Sequence, residues 1–423
     1  MKRRRYDWSW HRFALQSTFE SISKIIDENI PFLGLVGEAE PGFLTALFSA
    51  ANNANLVLEG IAMRPESGQV QILLKKNIPS EKTELGASSI PKDQLSFDLT
   101  SKEYFQETIA NPAREYLRLR GEPSHYLPLH AAITAYLAHK QLLRFSSAAF
   151  SKDQSGSSGE SNQPSHEELS QIHHMIEQSL SYRNGFLRFG GSEKSIEAGS
   201  WWFRTDKTSD DFILLPPLAD RVETSLVRFL QNHPFSSIQE IDKSLCYEFP
   251  GLLTPSPELI QICLESYGEQ DPPESGLWKL RPQDEASKRR VELGEMNLLL
   301  KQIARSMGYT IQGQAPLIMV DDQGTIQYIW HIITSGIISN IVLKTMQDAQ
   351  KSLIILPGGR ANLVAYKIQR DVRLRQAVDN GWRFVKYRQL RLLSKSAILS
   401  KALLDEQLSA DLLTYTPPQL RLL

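Results

Sequence analysis

The spacing of apolar positions changes several times along this chain, and those changes divide it. Phe13, Leu15, Phe19, Ile22, Ile25 and Ile26 form the stripe of an amphipathic helix over Phe13 to Asp27. Phe32 to Gly37 is a short apolar run that predicts a buried strand. Phe43 to Ala54 is alanine-rich and predicts a helix. Leu56 to Met63 and Val70 to Lys75 read as two strands, joined by a turn over Arg64 to Gly68. The order helix, strand, helix, hairpin fills residues 1–80. Lys76 to Lys92 is polar, and residues 100–215 read as mostly helical, with Ala131 to Leu143 the clearest helix. Phe145 to His166 is rich in Ser, Gly, Gln and Asp without periodicity, which predicts a disordered insertion. Glu197 to Phe203 reads as an aromatic strand end, where Trp201 and Trp202 suit a core better than a base-stacking platform.

Residues 216–285 change character. Val222 to Asn232, Ser237 to Glu248 and Ser256 to Tyr267 are three short helices, with Ser236 and Ser256 as N-caps and Pro257 in a first turn. A polar turn over Gly268 to Gly276 and a strand over Leu277 to Arg281 follow, and together they outline a winged helix. Residues 286–423 read as an α/β domain. It has a charged helix over Ala286 to Gly308 and a hairpin of Leu317–Val320 with Ile326–Ile333. A helix over Ile337 to Asp348, a buried strand over Leu353 to Leu356, a helix over Ala361 to Gln376 and a strand over Trp382 to Tyr387 follow. The fold class expected is therefore multidomain α/β.

Composition narrows the function classes. Apolar residues are 41% and charged residues 22% of 423 residues, which excludes a wholly disordered chain and a coiled-coil rod. The net charge is −1, so the chain as a whole is no polyanion binder. Cys246 and Cys263 are too few for a disulfide framework or a cysteine-built zinc site and fit a reducing, cytoplasmic compartment. No run of 18 apolar residues occurs, so no membrane partner is expected, and the polar stretch after Met1 to Arg5 does not suit a signal peptide.

The sequence carries few motifs with a recognisable chemistry. There is no glycine loop for phosphates, no HExxH, no CxxC and no GxSxG. His173 and His174 are adjacent and read as solvated helix residues. Asp321-Asp322 sits in a hairpin where a restriction-endonuclease-like domain carries an acid, but Tyr328 to Ser335 supplies neither the acid nor the lysine that metal-assisted hydrolysis needs. Asp321 to Gly324 therefore reads as a turn. No catalytic or metal-binding residue is expected. Charge is more informative: from Lys351 to Lys401 there are 12 cations and two acids. Arg360, Lys367, Arg370, Arg373, Arg375, Lys386, Arg388 and Arg391 are the candidate nucleic-acid-binding residues, because Arg on rigid elements meets phosphate bidentately. Gly358 and Gly359 before Arg360 suit an anion nest or a plain turn.

Several stretches resemble large bacterial amino-methylating (adenine or cytosine-N4) DNA methyltransferases. They include Leu35-Val36-Gly37-Glu38, Pro41-Gly42-Phe43-Leu44, Leu58-Glu59-Gly60-Ile61-Ala62 and Gln69-Val70-Gln71-Ile72. Leu119-Arg120-Gly121-Glu122-Pro123, Gly199-Ser200-Trp201-Trp202, Pro217 to Glu223 and Leu356-Pro357-Gly358-Gly359-Arg360 resemble the long C-terminal extension of such proteins. The resemblance implies that residues 1–80 are the distal part of a Rossmann-type methyltransferase domain. The sequence departs from the family at its catalytic tetrapeptide: Asp271-Pro272-Pro273 is followed by Glu274, and the S-adenosylmethionine loop is missing. A split or truncated enzyme of a restriction-modification or phage-defence system is then expected. Its cofactor, S-adenosylmethionine, would belong to the complete enzyme and not to this chain. The implied partners are DNA and a protein chain carrying the missing motifs. The alternative is a non-catalytic winged-helix DNA-binding or scaffold protein.

Overall fold

A computed structural model of the chain describes residues 8–77, 102–144, 165–204, 214–344, 349–396, 399–410 and 413–417, apart from residues 38, 65, 67, 193 and 194. They form a mixed α/β protein of two compact units, Met1–Leu215 with Pro250–Thr254, and Pro216–Phe249 with Pro255–Leu423. The insertion expected between Phe145 and His166 falls largely outside the described residues, as does most of the polar stretch after Lys76.

The first unit opens with α1 (Trp8–Ile25), β1 (Phe32–Val36), α2 (Pro41–Asn53), β2 (Leu56–Arg64) and β3 (Gln69–Lys76), in the order the apolar spacing predicts. β3 lies between β1 and β2 and is antiparallel to both, so β1 and β2 run parallel with α2 as their crossover. Pro41 starts α2 where a missing N–H costs nothing, and small or apolar residues bury the helix from Leu44 to Asn52. It packs on the sheet face formed by Leu56 and Leu58 of β2 and Val70, Ile72 and Leu74 of β3. Gly34 lies opposite Ile72, and a Cβ there would stand 2.8 Å from the Ile72 side chain, so β1 is held close only by a glycine.

The chain continues through α3 (Lys102–Arg120), β4 (Ser124–His125), α4 (Tyr126–His139), α5 (Ser165–Ser179), β5 (Phe186–Phe189) and β6 (Ser200–Phe203), with the last sheet in the order β4-β6-β5. Residues 1–80 and 100–215, expected as separate domains, share one core. Leu44, Phe48 and Ile72 pack in the same cluster as Ile133, Leu137, Ile176, Trp201 and Trp202. The two tryptophans are core residues, as their strand positions imply. Gly199 enters β6 with φ +94°, and a Cβ would lie 2.6 Å from the Gly190 carbonyl oxygen. Gly199→Ala is expected to lower stability by about 2 kcal/mol, measured by denaturant unfolding.

The second unit begins with α6 (Leu218–Asn232), β7 (Ser236–Ser237), α7 (Ile238–Glu248), α8 (Pro257–Tyr267), β8 (Gly268–Gln270) and β9 (Leu277–Leu280), with an antiparallel sheet in the order β7-β9-β8. Ser256 caps α8 as expected, accepting from the Leu259 N–H at 3.2 Å. α7 is capped by Ser237 and not by Ser236. Glu240 three residues on closes a reciprocal capping box, while the Ser236 hydroxyl donates to the His233 carbonyl at 2.9 Å.

The same unit continues with α9 (Ala286–Ser306), β10 (Thr310–Gln312), β11 (Leu317–Val320), β12 (Ile326–Ile332), α10 (Ser339–Val342), β13 (Ser352–Leu356), α11 (Ala361–Arg370), α12 (Val372–Asp379), β14 (Arg383–Lys386), α13 (Tyr387–Leu393) and α14 (Lys401–Ala410). Its five-stranded sheet runs β10-β11-β12-β13-β14, antiparallel up to β12 and parallel beyond it. β13 is buried at every residue, which explains its continuous apolar run. The single helix expected over Ala361 to Gln376 is two, because Asp371 turns extended and its side chain caps α12 at the Arg373 N–H, 2.9 Å. Only one turn, Ser339–Val342, is described of the helix expected over Ile337 to Asp348. No helix among the described residues is long and apolar enough to cross a membrane.

Candidate functional site

The eight candidate phosphate contacts do not form one surface. Arg360 and Lys367 are buried. Lys367 projects from α11 to Asp220 Oδ1 at 2.5 Å, to the Glu223 carboxylate and to the Gly336 carbonyl oxygen at 3.1 Å. Burial opposes its charge, but Asp220 and Glu223 outweigh burial and raise its pKa above the ordinary lysine value. Glu223 also accepts from the Tyr267 hydroxyl and from the Gly336 N–H at 2.7 Å, and Asp220 accepts from Ser339. Arg360 stacks on Tyr267, its guanidinium carbon 3.4 Å from the ring centroid. It donates to Asp284, to the Ser266 carbonyl and to the Thr334 carbonyl at 3.3 Å. Arg289 binds the same Asp284 oxygen at 2.7 Å. These groups tie α6 and α8 to α11 and to the loop before α10 inside the second unit.

Of the remaining six, Arg370 pairs with Glu258, Arg373 with Asp371 at 2.6 Å, and Arg391 with Glu292 at 3.0 Å. Arg375 donates to the Gln369 carbonyl, Lys386 is half-buried and Arg388 is exposed. Four of these cations, Arg360, Lys367, Arg370 and Arg391, are answered by acids far away in sequence: Asp284, Asp220 with Glu223, Glu258 and Glu292. Asp220 and Glu223 stand three residues apart on the side of α6 that carries Ala219, Val222 and Leu226, and an acidic pair on an apolar helix face was the available signal.

The module over residues 218–281 contains ten acids and five cations. Its third helix, α8, bears Glu258 and Glu265 and no cation, and α11 and the turn at Gly358–Arg360 cover it. Asp321 is occupied by its turn. Its side chain accepts from the N–H groups of Gln323 and Thr325 at 3.0 and 2.8 Å and from Gln327 at 2.7 Å, and the Thr325 bond foremost lowers its pKa.

A pocket of about 240 Å³ opens in the first unit where β1 hands over to α2. Trp8 and Ser9 of α1, Glu40 to Gly42, Ser170 and His173 of α5, and Glu197 line it. Crevices at the carboxyl ends of parallel strands are the usual ligand positions of α/β folds. His173 is not the solvated residue expected from sequence. It stacks at 5.2 Å and 19° on His130 of α4, which has no exposed surface. Burial first, and His173 second, hold the His130 pKa well below the usual value, and burial also lowers that of His173. His130 went unnoticed in sequence because a lone histidine among the apolar residues of α4 carries no spacing signal.

The folded chain keeps His130 neutral where the unfolded chain takes up a proton. Its contribution is therefore complete above pH about 6.5 and declines as pH falls below the unfolded value. Calorimetric scans should show the first unit losing roughly 1 kcal/mol per pH unit below about pH 6.5, and His130→Leu should flatten that slope. Comparison with protein-family models, curated proteins and solved structures finds nothing that matches this chain.

Proposed function

We propose that the chain is the non-catalytic part of a split DNA methyltransferase, whose first unit completes the α/β sheet of a partner chain. The observation that carries this reading is β1. It is the outer strand of its sheet, with one hydrogen-bonding edge unpaired among the described residues and with Leu33 and Leu35 60% and 75% exposed. A strand in a parallel relation to β2, entered from a helix and left by a helix, belongs inside a sheet covered on both faces. The helix–strand–helix–hairpin order is also the one the resemblance calls for. S-adenosylmethionine falls to the partner in this reading. The residues after β1 do not fit that group, since the Trp8 indole lies against Gly42 at the start of α2 and no glycine loop precedes it.

Residues 218–281 follow winged-helix order in this reading, but as a docking element and not as a groove reader, because α8 is covered and carries no cation. DNA contact then rests on the exposed Arg375 and Arg388. Two phosphate contacts give a log–log salt slope of about −2 in a DNA titration, and a flat response excludes them. The same buried α8 favours the second reading, a scaffold with protein partners only. Tagged chain captured from its native host, with mass spectrometry and a labelled-methyl transfer assay, separates the two. A stoichiometric partner bearing the glycine loop and the Asp/Asn-Pro-Pro-aromatic tetrapeptide, with methyl transfer only in the complex, establishes the split enzyme. A partner without those motifs, or no methyl transfer, leaves the scaffold.

A further inference from the structure

We propose that the pocket between α1, α2 and α5 binds an organic cation, an alkylammonium or guanidinium group, independently of whether the chain serves a methyltransferase. Among the described residues that line it, Glu40 and Glu197 are the charged ones, and no lysine or arginine is present. The one imidazole in the wall, His173, is kept neutral by burial and adds no opposing charge. Behind it the layer is acceptor-rich as well. Thr45 Oγ1 spends its proton on the Pro41 carbonyl at 3.0 Å, so at 3.2 Å it accepts from His130 Nε2. His130 Nδ1 is therefore a bare acceptor, fully buried and without a hydrogen-bond partner. His130 is not among the lining residues, so it leaves the layer behind the wall without positive charge but does not itself meet the ligand. Trp8, held edge-on to Phe43 at 5.5 Å, supplies an indole beside the two carboxylates, the surface on which ammonium and guanidinium groups rest. About 240 Å³ accepts such a head group with a short aliphatic stem and is small for a nucleotide. The N-terminus of α2 would favour an anion, but two carboxylates at its mouth oppose one.

The cation could be a free amine or guanidine, or the lysine side chain of a docked protein, and both sources supply the same chemistry. The test titrates the full chain calorimetrically with agmatine, which has a guanidinium at one end and an ammonium at the other, and separately with sodium sulfate. The expected result is saturable one-to-one binding of agmatine and none of sulfate. Kd should rise about tenfold in Glu197→Gln and in Glu40→Gln, with no change in Glu406→Gln on α14. Unfolding midpoints matching the parent show that the variants fold. If agmatine gives no heat, the complex captured from the host is treated with a carbodiimide. An amide bond from Glu40 or Glu197 to a partner lysine then assigns the pocket to a protein side chain. Sulfate binding, agmatine binding that the three variants weaken equally, or neither agmatine binding nor a cross-link would overturn the proposal.

Discussion

Lys367→Met should destabilise the second unit by about 3–5 kcal/mol, the cost of leaving a buried carboxylate without its counter-charge. Asp220 and Glu223 both lie against the ammonium, and both belong to α6, so the loss falls where α6 meets α11. The pair cannot simply rehydrate. Lys367, Asp220 and Glu223 are 3%, 4% and 1% exposed, and Tyr267, Gly336 and Ser339 close the rest of the site. The triple change Lys367→Met, Asp220→Asn, Glu223→Gln removes the charge together with its partners and should recover most of the loss, since a neutral buried cluster has no unpaired ion. Chemical denaturation of the full chain measures both. The experiment also separates two explanations of a DNA-binding defect. A phosphate contact would lower affinity with stability intact, whereas this lysine should lower stability first.

The second large effect is expected at β1. Leu33→Lys together with Leu35→Lys should weaken capture of the partner chain by roughly two orders of magnitude, because sheet completion would bury ammonium groups with no counter-charge. The chain alone should scarcely change, within about 0.5 kcal/mol, since both leucines are exposed in it. Analytical ultracentrifugation of the mixed chains, beside an unfolding curve of the variant, reads the two quantities. Equal capture by variant and parent would show that β1 is not the joining edge and would remove the support for a completed sheet.

Local structure was largely legible in the chain because it depends on neighbours in sequence. α1, β1, the β2–β3 pair and the cap at Ser256 all appear where spacing puts them, but Phe13 and Ile25 of the expected α1 stripe are exposed, and β1, expected to be buried, exposes Leu33 and Leu35 because it is the outer strand of its sheet. Two boundaries moved for local reasons that spacing cannot weigh: Asp371 caps a new helix inside an apparently continuous one, and Ser237 outcompetes Ser236 through Glu240. The site was less legible because it is tertiary. A count of charge along the chain assigns Arg360 and Lys367 to solvent, while folding sets them against acids more than 70 residues away, at Asp284 and Asp220. The pocket was hidden for the same reason. Trp8, Glu40, His173 and Glu197 have no common motif, and only the packing of α1, α2 and α5 with the turn before β6 brings them to one wall.

The five residues Pro250–Thr254 count with the first unit although the chain on either side of them belongs to the second. Leu252 and Leu253 pack on the first unit's core beside β2 and α4. The first unit is therefore discontinuous in sequence. Cutting once after residue 215 would not give a whole first unit, since its missing plug would leave with the other half. Expression of residues 1–215 by themselves should yield a protein that opens at β2, and supplying a peptide of residues 250–254 in trans should be the cheapest way to close it.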